Sequence, residues 1–85
     1  GPGSLQFYPN PVDTRLHLRF SPGKEYSGGV IRIYDLGGKA VIEKELQDGV
    51  DNRPLIDTSG LPAGVYILSL NSGRQIDYRK FVILH

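Results

Sequence analysis

Short apolar runs that alternate residue by residue, each stopped by glycine or proline, leave this chain little choice but strands. The eleven glycines and six prolines fall between runs of Val, Ile, Leu, Tyr and Phe about four to eight residues long. Alternation with period two sends successive side chains to opposite faces of an extended backbone. Residues 14–20 are the clearest case. Leu16, Leu18 and Phe20 point one way, and Arg15, His17 and Arg19 the other. One dry face and one wet face belong to an antiparallel sheet. No segment repeats apolar residues at i, i+3, i+4 and i+7 over a useful length, so no long helix is expected.

The same reading along the chain predicts strands at residues 5–8, 14–20, 30–35, 40–46, 53–57, 64–70 and 75–84. Pro54 places the fifth at an edge or a strand start, since proline cannot donate to a ladder. Leu36-Gly37-Gly38-Lys39 is a turn whose adjacent glycines supply positive φ. Ser21-Pro22-Gly23, Ser27-Gly28-Gly29, residues 47–52 and Asn71-Ser72-Gly73-Arg74 are further loops or turns. In the last run Ile76 and Tyr78 share one phase and Phe81 and Ile83 the other, which predicts a β-bulge near Arg79-Lys80. About seven short strands at 8–12 residue spacing make an all-β chain, an immunoglobulin-like antiparallel sandwich. Its predicted core is Leu16, Leu18, Phe20, Ile31, Ile33, Tyr66, Leu68 and Leu70. Leu61-Pro62-Ala63-Gly64-Val65-Tyr66 resembles a tyrosine corner, in which a hydroxyl turns back to backbone a few residues upstream.

Composition narrows the function. Gly1 to Ser4 read as the remnant of a cleaved expression tag, and residues 5–85 as one domain. A core of this size leaves little material for a deep catalytic cleft. Ten Lys and Arg against nine Asp and Glu, for a net charge of +1, alternate without a basic block, which disfavours a nucleic-acid partner. No run reaches the roughly 18–20 apolar residues of a membrane-spanning helix, so no direct insertion is expected. Without cysteine there is no thiol nucleophile and no thiolate metal site. Only His17 and His85 could act as a base, one on a wet strand face and the other the final residue, so no catalytic residue is assigned. Asp48-Gly49-Val50-Asp51-Asn52 lacks the ligand spacing of a calcium loop and reads as a solvated turn. Gly37-Gly38 lacks the Gly-Lys-Ser/Thr ending of a phosphate loop. No metal and no cofactor are expected.

Four ordered blocks carry a family resemblance. They are Phe7-Tyr8-Pro9-Asn10-Pro11; Ile33-Tyr34-Asp35-Leu36-Gly37-Gly38-Lys39-Ala40-Val41; the stretch Ile56-Asp57-Thr58-Ser59-Gly60-Leu61-Pro62-Ala63-Gly64-Val65-Tyr66-Ile67; and Lys80-Phe81-Val82-Ile83. In this order and at this length they resemble the C-terminal sorting domains of the type IX (Por) secretion system, type A. Gly37 stands where the family more often has Thr, Asn or Ser, and the chain ends in Leu84-His85 where members often end in Lys or Arg. Each block is also a fold determinant: Asn10 between prolines is a rigid turn, and Gly38 and Gly64 answer to backbone conformation. Tyr8, Pro9, Asn10, Pro11, Tyr34, Asp35, Gly38, Leu61, Gly64 and Tyr66 are the structural-motif residues.

The resemblance implies an export tag and not an enzyme. A parent protein with its own upstream signal peptide reaches the periplasm, and this domain then directs it through the outer-membrane translocon. A β-barrel shuttle protein and a sortase-like cysteine peptidase are the further partners, and the cargo ends at the cell surface or is released. Uncleaved docking modules of the machinery share the domain. A generic adhesion or carbohydrate-binding sandwich is the alternative from fold alone. The expected recognition element is the last strand, with Arg79, Lys80, Phe81, Val82, Ile83 and Leu84, and the edge it exposes.

Overall fold

The computed structural model describes residues 5–20, 29–46, 54–72 and 75–85. Seven strands follow one another: β1 (Leu5–Tyr8), β2 (Arg15–Phe20), β3 (Val30–Tyr34), β4 (Ala40–Glu45), β5 (Leu55–Asp57), β6 (Gly64–Ser72) and β7 (Gln75–Ile83). They form two antiparallel sheets, β1-β2-β5 and β4-β3-β6-β7. The chain is an all-β sandwich, as its periodicity requires.

The predicted inward phases hold. Leu16 and Leu18 of β2 and Ile31 and Ile33 of β3 are fully buried, and Tyr66, Leu68 and Leu70 of β6 lie beside them. Leu5, Val12, Leu46, Ile56, Phe81 and Ile83 complete the cluster. Ladder registers keep these residues in step across the sheet: Ile31 opposes Leu70, Ile33 opposes Leu68, and Tyr66 opposes Phe81. A one-residue slip would turn every one of them to solvent, so burial itself specifies the register. The side chain of Phe20 lies outside the described residues, as do Gly1–Ser4, residues 21–28, the expected loop at residues 47–52 with Arg53 of the expected fifth strand, and Gly73-Arg74.

Two expectations change. No bulge interrupts β7, whose pairing with β6 runs without a shift from Gly64↔Ile83 to Ser72↔Gln75. Ile76 and Tyr78 are 51% and 60% exposed: they sit on the outer face, so their phase needed no correction. The register shift that does occur lies between Ile33 and Tyr34, where β4 carries the extra residue. At the β3–β4 turn only Gly38 has a left-handed φ, of 88°. Asp35 organises this turn: its Oδ1 accepts from the backbone N–H of Gly37 at 2.9 Å and of Lys39 at 3.0 Å. An Asp at this place caps its own backbone and tightens the hairpin. That short hairpin also keeps β4 beside β3, whereas in the constant-type immunoglobulin arrangement the fourth strand joins the first sheet.

Thr58 is the buried polar group that closes the other sheet. It is fully buried, its hydroxyl donates to the Asp13 carbonyl at 2.9 Å, and its N–H donates to the Thr14 carbonyl at 2.9 Å. With both donors satisfied, its burial carries little penalty. Because Leu68 is central and 1% exposed, Leu68→Ala removes packing that neighbours cannot refill. It is expected to cost about 2–5 kcal/mol, read as a lower urea midpoint; a loss under about 1 kcal/mol would place the core elsewhere.

Candidate functional site at the last strand

β7 ends the four-stranded sheet, with β6 on one side. On the other side, among the described residues, a single residue of the β1–β2 connection pairs with it. The Val12 N–H donates to the Val82 carbonyl at 2.8 Å, and the Leu84 N–H donates to the Val12 carbonyl at 2.8 Å. Val12 thereby forms a one-residue parallel bridge to Ile83 and is itself fully buried. Since Val82 and Leu84 direct their backbone outward, alternation along the ladder directs the N–H and C=O of Lys80, Tyr78 and Ile76 to the same side. Among the described residues no strand pairs there. The Arg79 guanidinium covers one of these groups, donating to the Tyr78 carbonyl at 2.9 Å.

The six residues expected to mark recognition divide by face. Phe81 and Ile83 are core, 3% and 0% exposed. The Phe81 ring stacks on Tyr66 at 5.9 Å and meets the edge of Phe7 at 6.0 Å, so these two residues hold the strand in place. Lys80 and Leu84 are exposed, and Arg79 and Val82 half-buried. Only these four can touch a partner while the domain stays folded.

Two loops seat the end of β7. The Tyr66 hydroxyl donates to the Pro62 carbonyl at 2.6 Å, four residues upstream, which is the geometry of a tyrosine corner. Gly64, at φ 156°, brings the chain in at that point, and Leu61 packs against the core. His85, to which the sequence assigned no role, joins both loops: Nδ1 lies 3.0 Å from Asp13 Oδ1 and Nε2 2.6 Å from the Leu61 carbonyl. Two acceptors face the two ring nitrogens, an arrangement that suits the imidazolium, which donates from both. The hydrogen bond to Asp13, and after it that to Leu61, raises the His85 pKa above its usual 6.5. Val12, Asp13 and Thr58 carried no signal a periodicity reading could use, because their partners lie far along the chain.

The other motif residues lie in separate groups, and none lines the two described clefts, at Thr14, Arg15, Leu55, Asp57 and Ser59 and at Ile42 to Lys44 with Leu55 to Asp57. Tyr8 is 46% exposed and stacks flat on His17, with ring centroids 4.9 Å apart. Pro9, Asn10 and Pro11 are exposed, and both X–Pro bonds here are cis. Tyr34 is half-buried at the end of β3, beside the Asp35 turn. His17 stacks on Tyr8 and His85 is bound to Asp13 and Leu61, and among the described residues neither ring is hydrogen-bonded to a hydroxyl.

A family model described as the secretion system C-terminal sorting domain matches residues 6–84. The chain belongs to that family. The sorting domain is a C-terminal sorting signal for the type IX secretion system, and it interacts with that machinery to carry its parent across the outer membrane. No curated protein matches the chain. In this sorting domain the family blocks fall on the Pro-rich connection after β1, the β3–β4 turn, the tyrosine corner and β7.

Two measurements check the seating of β7. Tyr66→Phe deletes one hydrogen bond and is expected to lower stability by about 0.5–1.5 kcal/mol; an unchanged denaturation midpoint would leave Tyr66 as plain packing. The His85 contribution has the opposite pH sense to a carboxylate's. Because its folded pKa is raised, its stabilisation is full below about pH 6.5 and fades as the pH climbs through the folded value. The midpoint gap between the wild type and His85→Ala is therefore expected to be widest at acid pH and to close at alkaline pH, and a constant gap would rule out the imidazolium.

Proposed function

We propose that the sorting domain is read as a folded sandwich through the outer edge of β7, and that this edge takes an extended segment of the secretion machinery as an added strand. The supporting observation is the division of that edge. Its far end is closed by Val12, while Ile76, Tyr78 and Lys80 keep backbone groups directed outward. Strand addition draws affinity from main-chain hydrogen bonds and specificity from alternate side chains, which here are Ile76, Tyr78 and Lys80 on the outer face.

In this reading the parent enters the periplasm by its own signal peptide and the domain brings it to the outer-membrane translocon. The β-barrel shuttle and the sortase-like cysteine peptidase then act on the delivered cargo at the cell surface, where it is anchored or released. The domain supplies no reacting group to these steps. Its part is to be a rigid ligand, and Phe81 and Ile83 contribute by holding β7 to the core.

Tyr78→Pro tests the edge without breaking the sandwich. The Tyr78 N–H points away from β6, so proline there removes an outward donor and leaves the β6–β7 ladder intact. A fluorescent cargo fused to this variant is expected to accumulate in the periplasm, with the purified domain still melting cooperatively. Normal surface delivery by the folded variant would refute docking at this edge.

A further inference from the structure

The stretch of β7 from Ile76 to Lys80, whose outer edge no strand pairs among the described residues, is complementary to itself. We infer that the domain forms a weak twofold dimer in which β7 pairs antiparallel with β7 of a second copy, centred on Tyr78, to make one continuous eight-stranded sheet. The inference rests on the ladder geometry and the charges of residues 76–80, and holds whether or not the secretion machinery reads the same edge.

An antiparallel pair joins outward-directed backbone to outward-directed backbone. On β7 those residues are Ile76, Tyr78 and Lys80, the Val12 bridge having taken Val82 and Leu84. Twofold symmetry then permits few registers. Centring on Asp77 sets Asp77 against its own copy, and centring on Arg79 sets Arg79 against its own copy. Like charges directly opposite on a sheet face are destabilising, and each of these registers uses only two of the three outward residues. Centring on Tyr78 uses all three: Ile76 opposes Lys80 of the second copy, Tyr78 opposes Tyr78, and Lys80 opposes Ile76.

The same register sets Asp77 opposite Arg79 of the second copy, twice by symmetry. Both residues lie on the inward side of β7 and are half-buried, so the pairs form beside the core rim, where they are less screened than on open surface. On the outer face the two exposed Tyr78 rings meet across the axis, and the Lys80 stem lies along Ile76. Arg79 guards the edge in the single domain through its bond to the Tyr78 carbonyl. In the dimer that carbonyl accepts from the N–H of Tyr78 of the second copy, and the guanidinium turns onto Asp77.

A five-residue edge buries less than the roughly 1,000 Å² of a firm interface, so the dimer is reversible and concentration-dependent. Sedimentation equilibrium over a concentration series is expected to show monomer giving way to dimer, with slowed amide exchange at Ile76, Tyr78 and Lys80 as the dimer fills. Asp77→Arg and Arg79→Asp each set like charges opposite and are expected to leave monomer. The double variant exchanges the two charges, keeps each pair opposite in sign and is expected to restore the dimer. Circular dichroism checks that all three variants are folded. A folded wild type that stays monomeric at millimolar concentration overturns the inference. So does a dimer indifferent to both charge reversals, which would instead mark another surface or a slow exchange of whole β7 strands.

Discussion

Two hydrogen bonds from one residue, Val12, hold the last strand of this sandwich to the connection between the first two. The Val12 amide and carbonyl reach Val82 and Leu84, each at 2.8 Å, while its side chain is fully buried. Much else follows from that placement. Asp13 comes next in the chain, so its carboxylate lies under His85 and its carbonyl over Thr58. Thr58 in turn accepts the Leu61 N–H and fixes the loop that carries the tyrosine corner. The end of β7 is thus held by groups from both sheets, all satisfied by hydrogen bonds, which is the condition for burying polar groups without penalty.

β7 serves two demands that period-two geometry keeps apart. Its inner face offers Phe81 and Ile83 to the core, and Phe81 touches Phe7 and Tyr66 together. Its outer face and outer edge carry Ile76, Tyr78 and Lys80. A substitution in one set can leave the other intact, because neighbouring side chains on a strand look in opposite directions. A fully free edge invites indiscriminate pairing. Here Val12 closes one part, Arg79 covers the Tyr78 carbonyl, and Lys80 sets a charge on the rest, so the accessible segment is short and selective. The same shortness makes the self-pairing weak and lets a better-matched strand displace it.

The strands and their inward phases were legible because each depends on neighbours in sequence: Leu16 and Leu18 in β2, Ile31 and Ile33 in β3, Tyr66, Leu68 and Leu70 in β6. The four family blocks were legible for the same reason, since turns and corners are local. The expected bulge at Arg79-Lys80 failed on an assumption that both apolar pairs of β7 had to face one core. Ile76 and Tyr78 are exposed instead, and apolar residues on an outer face are not excluded by folding.

What this chain determined by itself is the set of elements: alternation decides which side of each strand is dry, and Gly38, Asp35 and the prolines decide where the strands stop. Which strands become edges, and which part of an edge stays open, was decided only in the folded sandwich. Val12 to Val82, Asp13 to His85 and Thr58 to Asp13 join residues 45 to 72 positions apart. No local rule encodes such pairs, because they exist only after two sheets have stacked and brought their loops to a common end.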